Sequence, residues 1–219
     1  MTDTNKQKKA FSLAEVLLIL VIVGTISALT IPTLKNHSDE TKYVVAVQKA
    51  MAQISEATAN VELEHGDASL FDFSSTDVDK WYKDAMNTIP FPNGVNAWQR
   101  VEMSGNDPFD SRFDFMTADG MAWNIGNGGY KCGGGAAIVD VNGAKDPNIV
   151  GIDQHGFRLG SRCGGDGGES KIGDFGIYAM GDKLNDTNGT WACTAYVIKN
   201  KKMPWLRKVS TGCTEYMGK

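Results

Sequence analysis

The sequence predicts an α+β fold, one long N-terminal helix followed by a small antiparallel β-sheet. Three observations carry this. From Phe11 to Leu34 a single charge, Glu15, sits among apolar and small polar residues. Residues that suit a buried face then recur at helical spacing, at Tyr43, Val44, Val47, Met51, Ile54, Thr58 and Val61. Beyond Gly66 the character changes to short alternating runs divided by Asp-Gly, Asn-Gly and Gly-rich turns, and glycine clusters in the C-terminal half.

The first stretch, 11–34, is long enough as a helix to reach roughly 36 Å, against a hydrocarbon core of about 30 Å. Lys6, Lys8 and Lys9 precede it and no basic cluster follows at once, so the N-terminus is expected to stay in the cytoplasm and the rest to cross. A carboxylate at Glu15, just inside the apolar end, costs on the order of a few kcal/mol unless something compensates it. The second stretch, 35–65, continues the helix amphipathically, with Lys42, Gln48, Lys49, Gln53, Glu56 and Asn60 on the opposite face. Gly66 is placed to terminate it. The whole helix would run about fifty residues, roughly 80 Å. Pro32 lacks a backbone donor and predicts a kink or local unwinding, with Gly24 a second soft point.

Within 66–219, Ser75 reads as the N-cap of a short helix ending near Met86. Pro90–Gly94 then opens a loop. Arg112–Met116 and Met121–Ile125 flank Asp119-Gly120 as a hairpin. Ala136–Val141, stopped by Asn142-Gly143, is a third strand, and Gly156–Leu159 a fourth. Gly160–Asp174 reads as Gly-rich loop, and Trp191–Lys199 is ambiguous between strand and helix.

A formal net charge of −4 is too mild to imply nucleic acid or an acidic substrate. All four cysteines fall on the side predicted to be exported and oxidising, and four allow three pairings. Catalytic patterns are missing: the three histidines, His37, His65 and His155, form no His-Glu-x-x-His, and neither a Gly-x-Ser-x-Gly elbow nor a phosphate loop occurs. The sequence is therefore read as a non-enzyme. Asp140, Asn142, Asp146, Asn148 and Asp153 gather hard oxygen ligands in one loop, which makes calcium the one cofactor to consider. Self-satisfying Asx turns are the preferred reading of that loop. Lys199, Lys201, Lys202, Arg207 and Lys208, with Trp205 among them, are read as a solvated or subunit-facing surface rather than a DNA site.

The run Lys8-Lys9-Ala10-Phe11-Ser12-Leu13-Ala14-Glu15, continuing as V-L-L-I-L-V-I-V-G-T-I-S-A-L-T-I-P to Pro32, resembles the N-terminus of type IV prepilins and type II secretion pseudopilins. The resemblance implies that 1–10 is a leader removed by a prepilin peptidase, with the cut between Ala10 and Phe11. It also implies N-methylation of Phe11, with Glu15 as the fifth mature residue. The family residue before the cut is usually Gly, where this chain has Ala10. The implied fold is pilin-like, with a transmembrane first half of the helix and a sheet laid across its second half. A shorter likeness, from Asp119-Gly120 and Val139–Asp153, is to a segment of pilin-like proteins. The C-terminal half resembles pilins in a disulfide loop, implying Cys193–Cys213, with Cys132–Cys163 as the second bridge. The function this implies is a filament subunit. Its partners would be the peptidase and methyltransferase, other pilin or pseudopilin subunits, an assembly platform and the inner membrane, and it would end in a periplasmic or cell-surface filament. A membrane-tethered periplasmic binding domain that never polymerises, and a DNA-uptake minor pilin, are the alternatives. An ordinary signal peptide, cut near Thr25-Ile26-Ser27, would leave Glu15 unexplained.

Overall fold

The computed structural model describes residues 12–90, 113–127, 134–161, 175–180, 193–207 and 213, without the side chains at 29, 31–37, 127, 161, 175 and 207. The chain divides into two units, Met1–Asp39 and Glu40–Lys219. Helix α1, Leu13–His65, belongs to both. It is helical through Gly24 and Pro32. The helix ends where Gly66 takes φ 92°, a left-handed conformation that a Cβ would oppose.

In the first unit α1 exposes its large apolar side chains, among them Leu13 at 80% and Val21 at 62%. The segment expected to span a membrane, 11–34, extends past what is described. Among the described residues no helix is long and apolar enough to cross a membrane.

The second unit is built on a six-stranded antiparallel meander in the order β1 to β6. Its strands are β1 Thr88–Ile89, β2 Phe115–Thr117, β3 Ala122–Asn127, β4 Gly135–Asp140, β5 Gln154–Ser161 and β6 Phe175–Ala179. The β2–β3 hairpin pairs Phe115 with Trp123 around the Asp119-Gly120 turn, where Gly120 has φ 89°. Alternate residues of the strands, Trp123 and Ile125, Ala137 and Val139, Phe157 and Leu159, share one core with Val44, Val47, Ala50, Ile54, Ala57 and Val61 of α1. Their neighbours Ala122, Ala136 and Ile138 enter a second apolar cluster with Phe113, Met116, Val150 and Met180. Both faces of the sheet are thus buried, which is why β4 reads as a continuous apolar run rather than an alternation.

Helix α2, Thr76–Ala85, is capped by the Ser75 hydroxyl accepting from the Asp77 N–H. It packs on α1 through a buried Thr58–Tyr82 hydroxyl pair at 3.1 Å. The ambiguous C-terminal stretch is helix α3, Cys193–Asn200, with Cys193, Thr194 and Val197 buried on one side. Cys193 is bonded to Cys213 across a Cα–Cα distance of 5.4 Å. Closing a loop of this length contributes about 3 kcal/mol in the chain-entropy picture. Cys132 and Cys163 lie outside the described residues, as do Ala10, Phe11, Lys208, and most of the Pro90–Gly94 and Gly160–Asp174 loops.

Candidate functional site

Two places carry chemistry that packing alone does not require. The first is the start of α1. The Glu15 backbone N–H donates to Ser12 Oγ at 3.2 Å, and the Ser12 N–H donates to Glu15 Oε2 at 2.9 Å. The Ser12 hydroxyl also reaches that carboxylate oxygen, at 3.2 Å. This is a reciprocal capping box, in which Glu15 satisfies an orphan donor of its own helix. Its signature, Ser-x-x-Glu, stands in the sequence as Ser12-Leu13-Ala14-Glu15, and reading those residues as a processing motif hides it. Immediately beyond it, Val16, Leu17, Leu18, Ile19 and Leu20 are all exposed.

The second place is the β4–β5 connection, Val141–Asp153. Asp140 at the end of β4 and Asp153 before β5 are both fully buried. Asp153 organises the loop: Oδ1 accepts from the Ile149 N–H at 2.7 Å, and Oδ2 from the Asn148 N–H at 2.9 Å and Asn142 Nδ2 at 3.1 Å. Asp140 accepts from the Asn142 N–H at 3.2 Å and from Gln154 Nε2 at 3.1 Å. Burial, and next the Asp153 carboxylate, push the Asp140 carboxyl up to about 8, against the pull of these hydrogen bonds. Burial likewise raises Asp153, opposed by the N–H groups of Ile149 and Asn148. Asp146, expected to join the same set, is exposed; its carbonyl and carboxylate instead receive the Asn142 and Asn148 amides at 3.3 and 3.4 Å. Gly143, at φ 67°, lies so close to the β2–β3 turn that a Cβ there would meet the Gly120 carbonyl oxygen at 2.5 Å.

The loop is fastened to the C-terminal part of the chain. Trp205, fully buried, donates Nε1–H to the Gly151 carbonyl at 2.7 Å. A buried tryptophan cannot stack on bases, which removes the aromatic part of the basic stretch; Lys199, Lys201 and Lys202 are exposed. His155 bonds the Ile152 carbonyl through Nε2 at 3.1 Å and the Thr194 hydroxyl through Nδ1 at 3.3 Å. A carbonyl only accepts, so Nε2 carries the proton and Nδ1 accepts from Thr194, whose oxygen takes the Gly156 N–H at 3.0 Å. Burial brings the imidazole down to about 4.

Elsewhere, a cavity of about 210 Å³ lies between α1, the end of α2 and the β2–β3 turn. Asp119 is held there by Lys49 at 2.8 Å and Gln53 at 2.7 Å. It is smaller than the usual small-molecule site of ~300 Å³ or more. Among the described residues no group of three or more His, Cys, Asp or Glu is placed to hold a metal. Comparison with protein-family models, curated proteins and solved structures finds no match for this chain.

Proposed function

We propose that this protein is a filament subunit of the type IV pilin or type II pseudopilin kind. It would be cut after Ala10, N-methylated at Phe11 and assembled through α1. The observation that carries the reading is the way α1 is divided. Its N-terminal part bears the prepilin-like sequence and a sleeve of exposed apolar side chains from Leu13 to Ile26. Its C-terminal part is buried against a sheet. A globular domain has no use for the sleeve, whereas a subunit that moves from bilayer to filament core has an apolar partner for it in both places.

Glu15 supports the same reading. The capping box holds the carboxylate on its own backbone while the subunit waits as a monomer. Cleavage creates a positive amine at Phe11, and that amine on a neighbouring subunit offers Glu15 a charged partner in low dielectric. Either charge alone is costly there, so the pair selects the register of the incoming helix. Processing is tested by mass spectrometry of the N-terminal peptide from the membrane fraction of the native host. The expected species begins at N-methyl-Phe11. A chain beginning at Ala28 would assign the segment to signal peptidase and end the filament reading.

A further inference from the structure

The cavity between α1, the end of α2 and the β2–β3 turn is lined by acceptors that its own donors do not fill. Asp119 is satisfied: Oδ2 accepts from Lys49 at 2.8 Å and from Gln53 Nε2 at 2.7 Å, and Oδ1 from the Thr117 hydroxyl. Partial burial would raise its carboxyl, but Lys49, Thr117 and Gln53 together hold it below the usual carboxylate range. The Gln53 amide nitrogen is thereby committed, and turning the group would set its oxygen against the carboxylate. That fixes Gln53 Oε1, which is buried with no hydrogen-bond partner. Glu56, three residues further along α1, lines the same cavity and is exposed. Among the described residues its carboxylate has no hydrogen bond or ion pair.

Water and a ligand compete for this space. Its volume of about 210 Å³ equals about seven waters' share of the liquid. A water can donate to Gln53 Oε1, yet a held water needs about two to four polar partners. Ala57, Ala85 and Met86 form a wall whose side chains offer none. Charge separates the two further. Lys49 set against Glu56 and Asp119 leaves the lining with one negative charge in excess, and water brings nothing to meet it. A cationic donor carried on a short alkyl stem suits the acceptor, the charge and the wall together.

We propose that this cavity binds a small primary alkylammonium compound of about seven heavy atoms or fewer. Its nitrogen would sit on Gln53 Oε1 and the Glu56 carboxylate, and its stem on Ala57, Ala85 and Met86. An ammonium carries three donors and no acceptor, so it meets both oxygens without placing oxygen against oxygen. Positions three apart on one helix face lie about 5–6 Å apart at Cβ, within reach of a single ammonium. Lys49 does not bar the ligand, because Asp119 neutralises it and its side chain is 51% exposed. A volume too small for a drug-sized molecule is the right one for a ligand of this size. The site lies wholly within the second unit and does not depend on filament assembly.

The test titrates the isotopically labelled full-length chain, in detergent micelles, with n-butylammonium chloride. The NMR signals of the Ala57 and Ala85 amides and of the Gln53 side chain are the readout. n-Butanol and sodium butyrate, on the same stem, are the comparisons. Butylammonium should give saturable shifts at these positions, in the millimolar range expected of so small a ligand. The alcohol should bind about tenfold more weakly, as a neutral hydrogen bond replaces a charged one, and butyrate should not bind. Ala85→Leu fills the place of the stem and should abolish the shifts. Glu56→Gln, a change at an exposed position, should weaken binding about tenfold. Glu64→Gln removes an exposed carboxylate further along the same helix and should bind as wild type. No saturable shift up to about 50 mM would overturn the proposal. So would equal binding of alcohol and ammonium, or equal losses in the Glu56 and Glu64 variants, because the chain's overall charge alone would then draw the cation.

Discussion

Protonating His155 would break a chain of hydrogen bonds in which every atom has its role assigned. Nδ1 would have to donate toward Thr194, whose hydroxyl proton already points at it, and a charge would appear inside the core. The imidazole is held down to about 4, below its ordinary 6.5. The folded protein therefore binds fewer protons than the unfolded chain between those values. Stability from this group is complete above pH 6.5 and is lost as pH falls toward 4, by about 3 kcal/mol for a shift of this size. Asp140, raised to about 8, works the other way and loses stability as pH rises. The difference between wild type and His155→Gln isolates the histidine: denaturant melts from pH 7 to 4 should show a shallower acid slope in the variant. Equal slopes would mean that His155 does not titrate against folding. None of this was legible from a lone histidine in the sequence, since its partner Thr194 is 39 residues away.

At the scale of elements, what could be read was what depends on neighbours in the chain. Gly66 ends α1 because the terminating conformation is local, and Ser75 starts α2 for the same reason. The helical face from Val44 to Val61 was visible in its spacing, although Ala50 and Ala57, buried at 0% and 2%, were too small to stand out. Strand β1 has two residues, too few to show a period, and β6 contains a glycine, Gly176, within its five. Helix α3 was ambiguous because Thr194, Val197 and Ile198 favour strands, and tertiary packing of one side decides for helix. The division of α1 gives a direct expectation. Ile54→Ala, at a fully buried position, should cost about 2–5 kcal/mol of head stability in denaturant melts, whereas Val45→Ala, 56% exposed, should stay within about 0.5 kcal/mol. Equal losses would mean that α1 does not pack on the sheet through this face.

For the whole molecule, the packed half of α1 explains why the head folds, and the sleeve from Leu13 to Ile26 is what folding leaves unexplained. The loop chemistry was half legible: the acidic and amide residues were evident in order, but the part played by Gln154 required the strand pairing that sets it against Asp140. Assembly through α1 is the central claim. The most direct measurement compares epitope-tagged wild type and Glu15→Val in sheared, sedimented filaments from the native host, with N-terminal processing checked in each. Wild type should enter the filament fraction. Glu15→Val, relieved of its lone charge, should insert and be cleaved normally yet be recruited roughly tenfold less, as loss of a charge pair worth about 1.4 kcal/mol would give. Wild type found wholly in the membrane, in a host whose filaments are intact, would contradict the account.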